Sequence, residues 1–226
     1  MNHWQPLTRS TGVLPCWLHV FCCMAEKQKT SLFAVQLPMR IHPVMSIDLE
    51  NDLKNVVRGN LEVVDQLIEF VESLSEEDYR FNDSELFMSS IGQHLRHILD
   101  LYQVMIEPQQ EDLVDYDVRR RGLALESEKE AGLVELRDLR SWLEALPVES
   151  LKQGVLVKTE VLLSETCSVQ LPSTFARELV FTASHLTHHL ALMVTIAKVI
   201  GHKVDDAVGL APATNTFVEN SKTEAA

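Results

Sequence analysis

Apolar residues recur at three- and four-residue intervals through most of the chain beyond position 48, and that period predicts helices. Leu49, Leu53, Val56, Val57, Val64, Leu67, Ile68, Val71 and Leu74 set out one amphipathic helix near 48–74, with Ser46 or Asp48 placed to cap it. Residues 75–84 are polar and acidic and read as a connection. A second helix is predicted near 89–107, starting at Ser89 or Ser90 and turning Ile91, Leu95, Ile98, Tyr102 and Met105 inward. Ser127 and Glu130 have the spacing of a capping box and open a third, near 127–146, buried through Leu133, Leu136, Leu139, Leu143 and Leu146. The fourth, near 174–201, follows Pro172 with Ser173 or Thr174 as its cap. It is apolar almost all round, which marks a buried helix. Between the third and fourth, Val155 to Leu171 is β-branched and partly alternating, so a short hairpin or strand pair is predicted there. The tail through Gly209–Thr214 reads as irregular but apolar enough to pack back on the body. Four long helices with modest connections give a mainly α fold, a four-helix bundle with a short β-hairpin before the last helix.

The first forty-four residues do not share this pattern. Pro6, Pro15, Pro38 and Pro43 interrupt every short period, and the segment carries a charge of +3 where the remainder carries −16. A signal-peptide core over Val13–Ala25 is opposed by Pro15, His19 and the lack of a small-x-small cleavage site. Residues 1–44 are therefore expected to be a disordered leader or an upstream extension. Met45 is expected to be the natural start, and 45–226 a single helical domain in the cytoplasm.

Composition narrows the function. A chain of 226 residues, 46% of them hydrophobic, buries a core without staples, and four cysteines without paired spacing make no disulfide framework. Cys167, the one cysteine of the domain, is expected to be a small buried hydrophobe on a strand. The formal net charge of −13 argues against nucleic acid as a partner. No run of eighteen apolar residues occurs, so no membrane partner is expected either.

Histidine is the informative residue. Three of the nine (His3, His19, His42) lie in the leader, but His94 and His97 sit on the second helix and His185, His188 and His189 on the fourth. At 100° per residue Glu178, His185 and His189 fall within about 40° of one another, on one stripe. Histidines at i and i+4 can present two imidazole nitrogens to one ion, and a third from a facing helix leaves a position open for water or substrate. A lone histidine on an apolar stripe is more often a core residue satisfied by a hydrogen bond. Five in two clusters would be costly without something to satisfy them. His188 points away from the pair, and His94 is either a packing residue or a support behind the ligands. Glu178 is open between a fourth ligand, a general base and a buried salt bridge with an arginine. Residues 108–125 form a charged loop containing the run Asp115–Gly122, whose Arg119 and Arg121 could hold a carboxylate, or simply face water.

These motifs resemble the metal site of the DinB/YfiT-like superfamily of four-helix-bundle proteins, unrelated to the similarly named DNA polymerase. Ser90–Asp100 is similar to the segment in which that family places one ligand, here His97. His185-Leu186-Thr187-His188-His189 is similar to the segment that supplies two more, here His185 and His189. Residues 46–200 carry the resemblance. A narrower DinB-like subgroup is similar in Ser89–His97, Asp115–Arg121, Ser173–Leu179 and Ala211–Thr214, while Leu101 and Leu190 stand where that pattern has His and Tyr. The resemblance implies a divalent metal (zinc, nickel or iron) on His97, His185 and His189; the residues themselves offer His94, Asp100, Tyr116, Arg119 and Arg121 as candidates around it. The resemblance also implies chemistry on a small-molecule substrate, as a hydrolase or as a transferase using a low-molecular-weight thiol such as bacillithiol or mycothiol. A non-catalytic metal-binding or stress-response protein is the alternative. A homodimer is expected.

Overall fold

The computed structural model describes residues 48–83 and 85–224. The expectations for residues 1–44 and for a start at Met45 lie outside them.

Helix α1 (Leu49–Ser73) is capped by Asp48, whose carboxylate accepts from the Asn51 N–H. A short helix α2 (Glu76–Arg80) follows, capped by Ser75. The sequence reading took this stretch as a plain connection, because five residues are too few to show a helical period. Helix α3 (Ile91–Ile106) opens with a complete capping box between Ser90 and Gln93. Helix α4 (Lys129–Ala145) does not open as expected. Ser127 turns its hydroxyl back to the Ala124 carbonyl at the end of a 3-10 turn, Ala124–Glu126; the N-cap residue, Glu128, makes no side-chain cap, and the Glu76 carboxylate accepts from the Lys129 N–H instead. Helix α5 (Phe175–Val199) starts at Thr174, and α6 (Pro212–Glu224) closes the chain.

The β region is larger than a hairpin. Strands β2 (Gly154–Glu160) and β3 (Ser168–Thr174) pair antiparallel, and β1 (Leu113–Asp115), inside the charged loop, pairs parallel to β2. The order β1-β2-β3 leaves β3 at an edge, where Pro172 is tolerated without an N–H to donate. Strand β3 runs directly into α5, and the Phe175 N–H donates to the Gln153 carbonyl. The sheet thereby fixes where α5 enters the bundle. Cys167 is half-buried and lies just before β3, in the loop that follows β2, so the strand assignment fails.

Helix α1 packs against α4 and α5, and α3 against α5 and α4. Their shared core includes Val64, Leu67, Tyr79, Ile91, Leu95, Leu136, Leu143, Leu179, Leu186 and Leu190, none with measurable exposure. Leu101 and Leu190, the two positions that depart from the subgroup pattern, are both buried in it. Helix α5 is less enclosed than its composition suggests. It is long and apolar enough to cross a membrane by that criterion alone, yet its buried stripe packs into the bundle, while Val180, Leu192 and Val199 remain exposed. The tail from His202 returns across the bundle, where the Gly209 N–H meets Gln66, before α6 projects with Phe217 exposed.

Candidate metal centre

Helices α3 and α5 lie side by side, and their histidines meet across the seam. The capping box fixes the first turn of α3, so His94 and His97 leave the second turn toward α5. His97 Nε2 lies 3.0 Å from His185 Nε2, and His94 Nδ1 lies 3.0 Å from His189 Nδ1. The rings of His185 and His189 are 4.5 Å apart, and that of His97 is 4.8 Å from His189. One nitrogen from each of His97, His185 and His189 lies within 4.8 Å of the other two, and all three residues are half-buried. A tetrahedral ion with bonds of 2.0–2.1 Å separates its ligand atoms by about 3.4 Å, so the spacing fits one ion.

The protonation states fit as well. Burial is the main cause that lowers all four imidazoles. His97 is pushed to about 4, with the Arg119 charge adding to burial, and His189 to about 3, with its histidine neighbours adding. His94 and His185 are lowered too, each with His188 contributing after burial. Neutral imidazoles keep the lone pairs a metal needs. The His94 contact leaves the Nε2 of His189 free to turn to an ion, the arrangement by which a ligand's second nitrogen is usually held. The residues present are thus compatible with a divalent metal.

The remaining expected residues divide into two groups. Asp100 is buried 2% exposed beneath α3, clamped by Arg96 at 2.6 Å and Arg120 at 2.8 Å, and its charge works against the fall in His97. Arg96 Nε is 2.7 Å from a Glu126 oxygen but off the line of its N–H, so the pair is an ion contact without a hydrogen bond. Arg119 donates to the carbonyls of Tyr116 and Val118, and its charge reaches His97 and His185. Arg121 is exposed, on the wall of a cavity of about 390 Å³ that also takes in His94, His97 and His189. Neither Arg119 nor Arg121 has a carboxylate partner among the described residues.

Glu178 and Tyr116 form a separate buried site. The Tyr116 hydroxyl donates to Glu178 Oε2 at 2.7 Å, and burial, with this bond adding to it, raises the phenol strongly. The other carboxylate oxygen accepts from Ser173 and lies 3.2 Å from an Arg177 nitrogen. Phe181 stands between this site and the histidines, 5.3 Å from the Tyr116 ring and 5.7 Å from His185. The structure does not bring Glu178 into the three-histidine group, and the arginine contact weighed for it is present. Sequence reasoning passed over Arg96, Gln93, Glu126, Met88 and Ser89, which line the cavity over the histidines. Ser89, Gln93 and Arg96 lie inside the Ser89–His97 motif, so the signal was there. A larger cavity of about 690 Å³ opens elsewhere, between α1 and α5, and only His188 among the five histidines reaches it.

A sequence profile described as the DinB family matches residues 47–216. A curated protein of Rhizopus delemar named FK506-binding protein 5 is 28% identical over 102 residues, which are 45% of this chain and 26% of that protein. The chain thus spans about a quarter of that relative's length. No solved structure matches.

Proposed function

This chain belongs to the DinB family, and from that premise we propose that it is a metal-dependent enzyme acting on a small molecule. His97, His185 and His189 would hold the ion. When bound, a divalent metal supplies Lewis acidity, lowering the pKa of a thiol or water at its open position. The observation that carries the reading is the cavity of about 390 Å³ that opens on His97 and His189, two of the three, with Arg121 on its wall. A purely structural site closes around its ion, whereas a catalytic one keeps a face open.

The chain's own residues then have distinct tasks. His94 orients His189 through their 3.0 Å contact. Asp100, with Arg96 and Arg120, ties α3 to the loop after β1 and so holds His97 in place. Arg121 offers a charge to an acidic group of the substrate. Transfer of a low-molecular-weight thiol to an electrophile, or hydrolysis, are the reactions proposed, with zinc, nickel or iron as the metal.

Elemental analysis of purified protein tests the premise. About one divalent ion per chain is expected in wild type and a trace in His97→Ala. Equal traces in both would remove the site. Metal-loaded protein assayed with electrophiles and each common cellular thiol then tests turnover, and a loaded protein inert toward the whole panel would return the reading to a binding protein.

A further inference from the structure

The cavity over the histidines continues past its polar wall. Met88, Ser89 and His94 also line a second cavity of about 260 Å³, whose other walls are Leu86, Phe87, Leu192 and Ile196 with the single polar Thr195. These apolar side chains are costly to leave in water. Leu86 is 60% exposed, Leu192 38% and Met88 98%. A concave apolar wall beside a few convergent polar groups is the usual form of a small-molecule site.

Helix geometry joins the two cavities. His189, Leu192 and Ile196 follow one another at three- and four-residue steps, on one face of α5. A ligand leaving the histidines along that face passes from imidazole to hydrocarbon within seven residues, about 10 Å of helix. At the polar end the charges are unequal. Arg96 in the wall is already held by Glu126 and Asp100, whereas Arg121 has no carboxylate partner among the described residues. Arg121 is therefore the one such charge on the cavity wall, with Arg119 acting on His97 and His185 from outside it, in a molecule whose net charge of −13 disfavours polyanions.

We infer that the ligand of this site is a small amphiphilic monoanion, its acidic, metal-coordinating head between the three histidines and Arg121, its short alkyl or aryl arm along α5 against Leu192, Ile196 and Leu86. The head rests on the proposed metal site. The arm rests on the second cavity alone, and makes Leu192 and Leu86 determinants of specificity.

Calorimetric titration of the zinc-loaded full chain with straight-chain alkyl hydroxamates, acetyl to octanoyl, tests both ends, with zinc measured on every sample. Affinity is expected to rise about two- to fourfold per methylene until the arm is filled, as burial of one CH₂ implies. Leu192→Ser, at a partly exposed position, flattens the series with zinc content unchanged. Arg121→Gln weakens every member by a similar factor and keeps the slope. Alkylammonium ions of equal length bind at least tenfold more weakly. A flat series in zinc-loaded wild type overturns the inference, as does an unchanged slope when Leu192→Ser and Leu86→Ser are combined. A protein without zinc overturns the metal reading instead: binding that still depends on length and on Leu192 would keep the arm, and a flat series would end both.

Discussion

His97 and His189 stay neutral well below pH 7, because partial burial and neighbouring rings and guanidinium groups disfavour a further charge. That neutrality makes stability depend on pH. In the unfolded chain both residues titrate near 6.5, so on acidification the unfolded state takes up protons that the folded state refuses. Their contribution is complete above about pH 6.5 and is lost as pH falls toward about 4 for His97 and about 3 for His189. Thermal melts of metal-free protein should accordingly show a midpoint that drops steadily between pH 7 and 4. The drop should be shallower in His189→Leu, and a midpoint as pH-sensitive in that variant as in wild type would contradict the assignment. Residue-level reading of the sequence chose His97, His185 and His189 through their likeness to a family motif, where helix angles alone left His94 open beside His97, and the structure brings one nitrogen from each of the three within 4.8 Å. The same reading failed to separate Glu178 from His185, because periodicity gives an angle around a helix but not what packs between successive turns. Phe181 occupies that space.

At the level of elements, α3 is set by close backbone approach. A Cβ on Gly92 would lie 2.3 Å from the Glu126 carbonyl oxygen and 2.8 Å from the Tyr79 ring. The backbone of the 3-10 turn cannot swing aside as a flexible side chain does, so Gly92→Ala must push α3 and the turn apart. Overpacking of this kind costs about 1–3 kcal/mol, and the shift falls two residues from His94. Denaturant unfolding should show the loss, and metal titration a weaker site; unchanged values for both would mean that α3 is not held there. The long helices were legible because each turns a continuous apolar stripe to the core. The elements missed are those without such a stripe. Strand β1 is three residues within a charged run and exists through pairing with β2, more than forty positions away. Helix α6 buries almost nothing, so its sequence carries no inward face to detect. Ser127 misled for a local reason: the 3-10 turn before it offered its hydroxyl a nearer carbonyl.

For the molecule as a whole, the separation of the site's two halves governs what is built when. His97 and His185 are 88 residues apart, joined through the loop after α3, α4 and the whole sheet. Bringing them together in a loose chain costs about 3 kcal/mol more loop-closure entropy than closing the i, i+4 pair on α5. An ion meeting the unfolded protein therefore finds only local sets such as His185 with His189, and the three-way site waits until α3 has docked on α5. Zinc should then leave the refolding rate nearly unchanged while slowing unfolding. Stopped-flow measurements with and without the ion distinguish this from early assembly, which would speed refolding instead. The ion would thus act as a late latch: it cannot guide the chain into the bundle, but once the seam between α3 and α5 has closed it lengthens the lifetime of the finished fold.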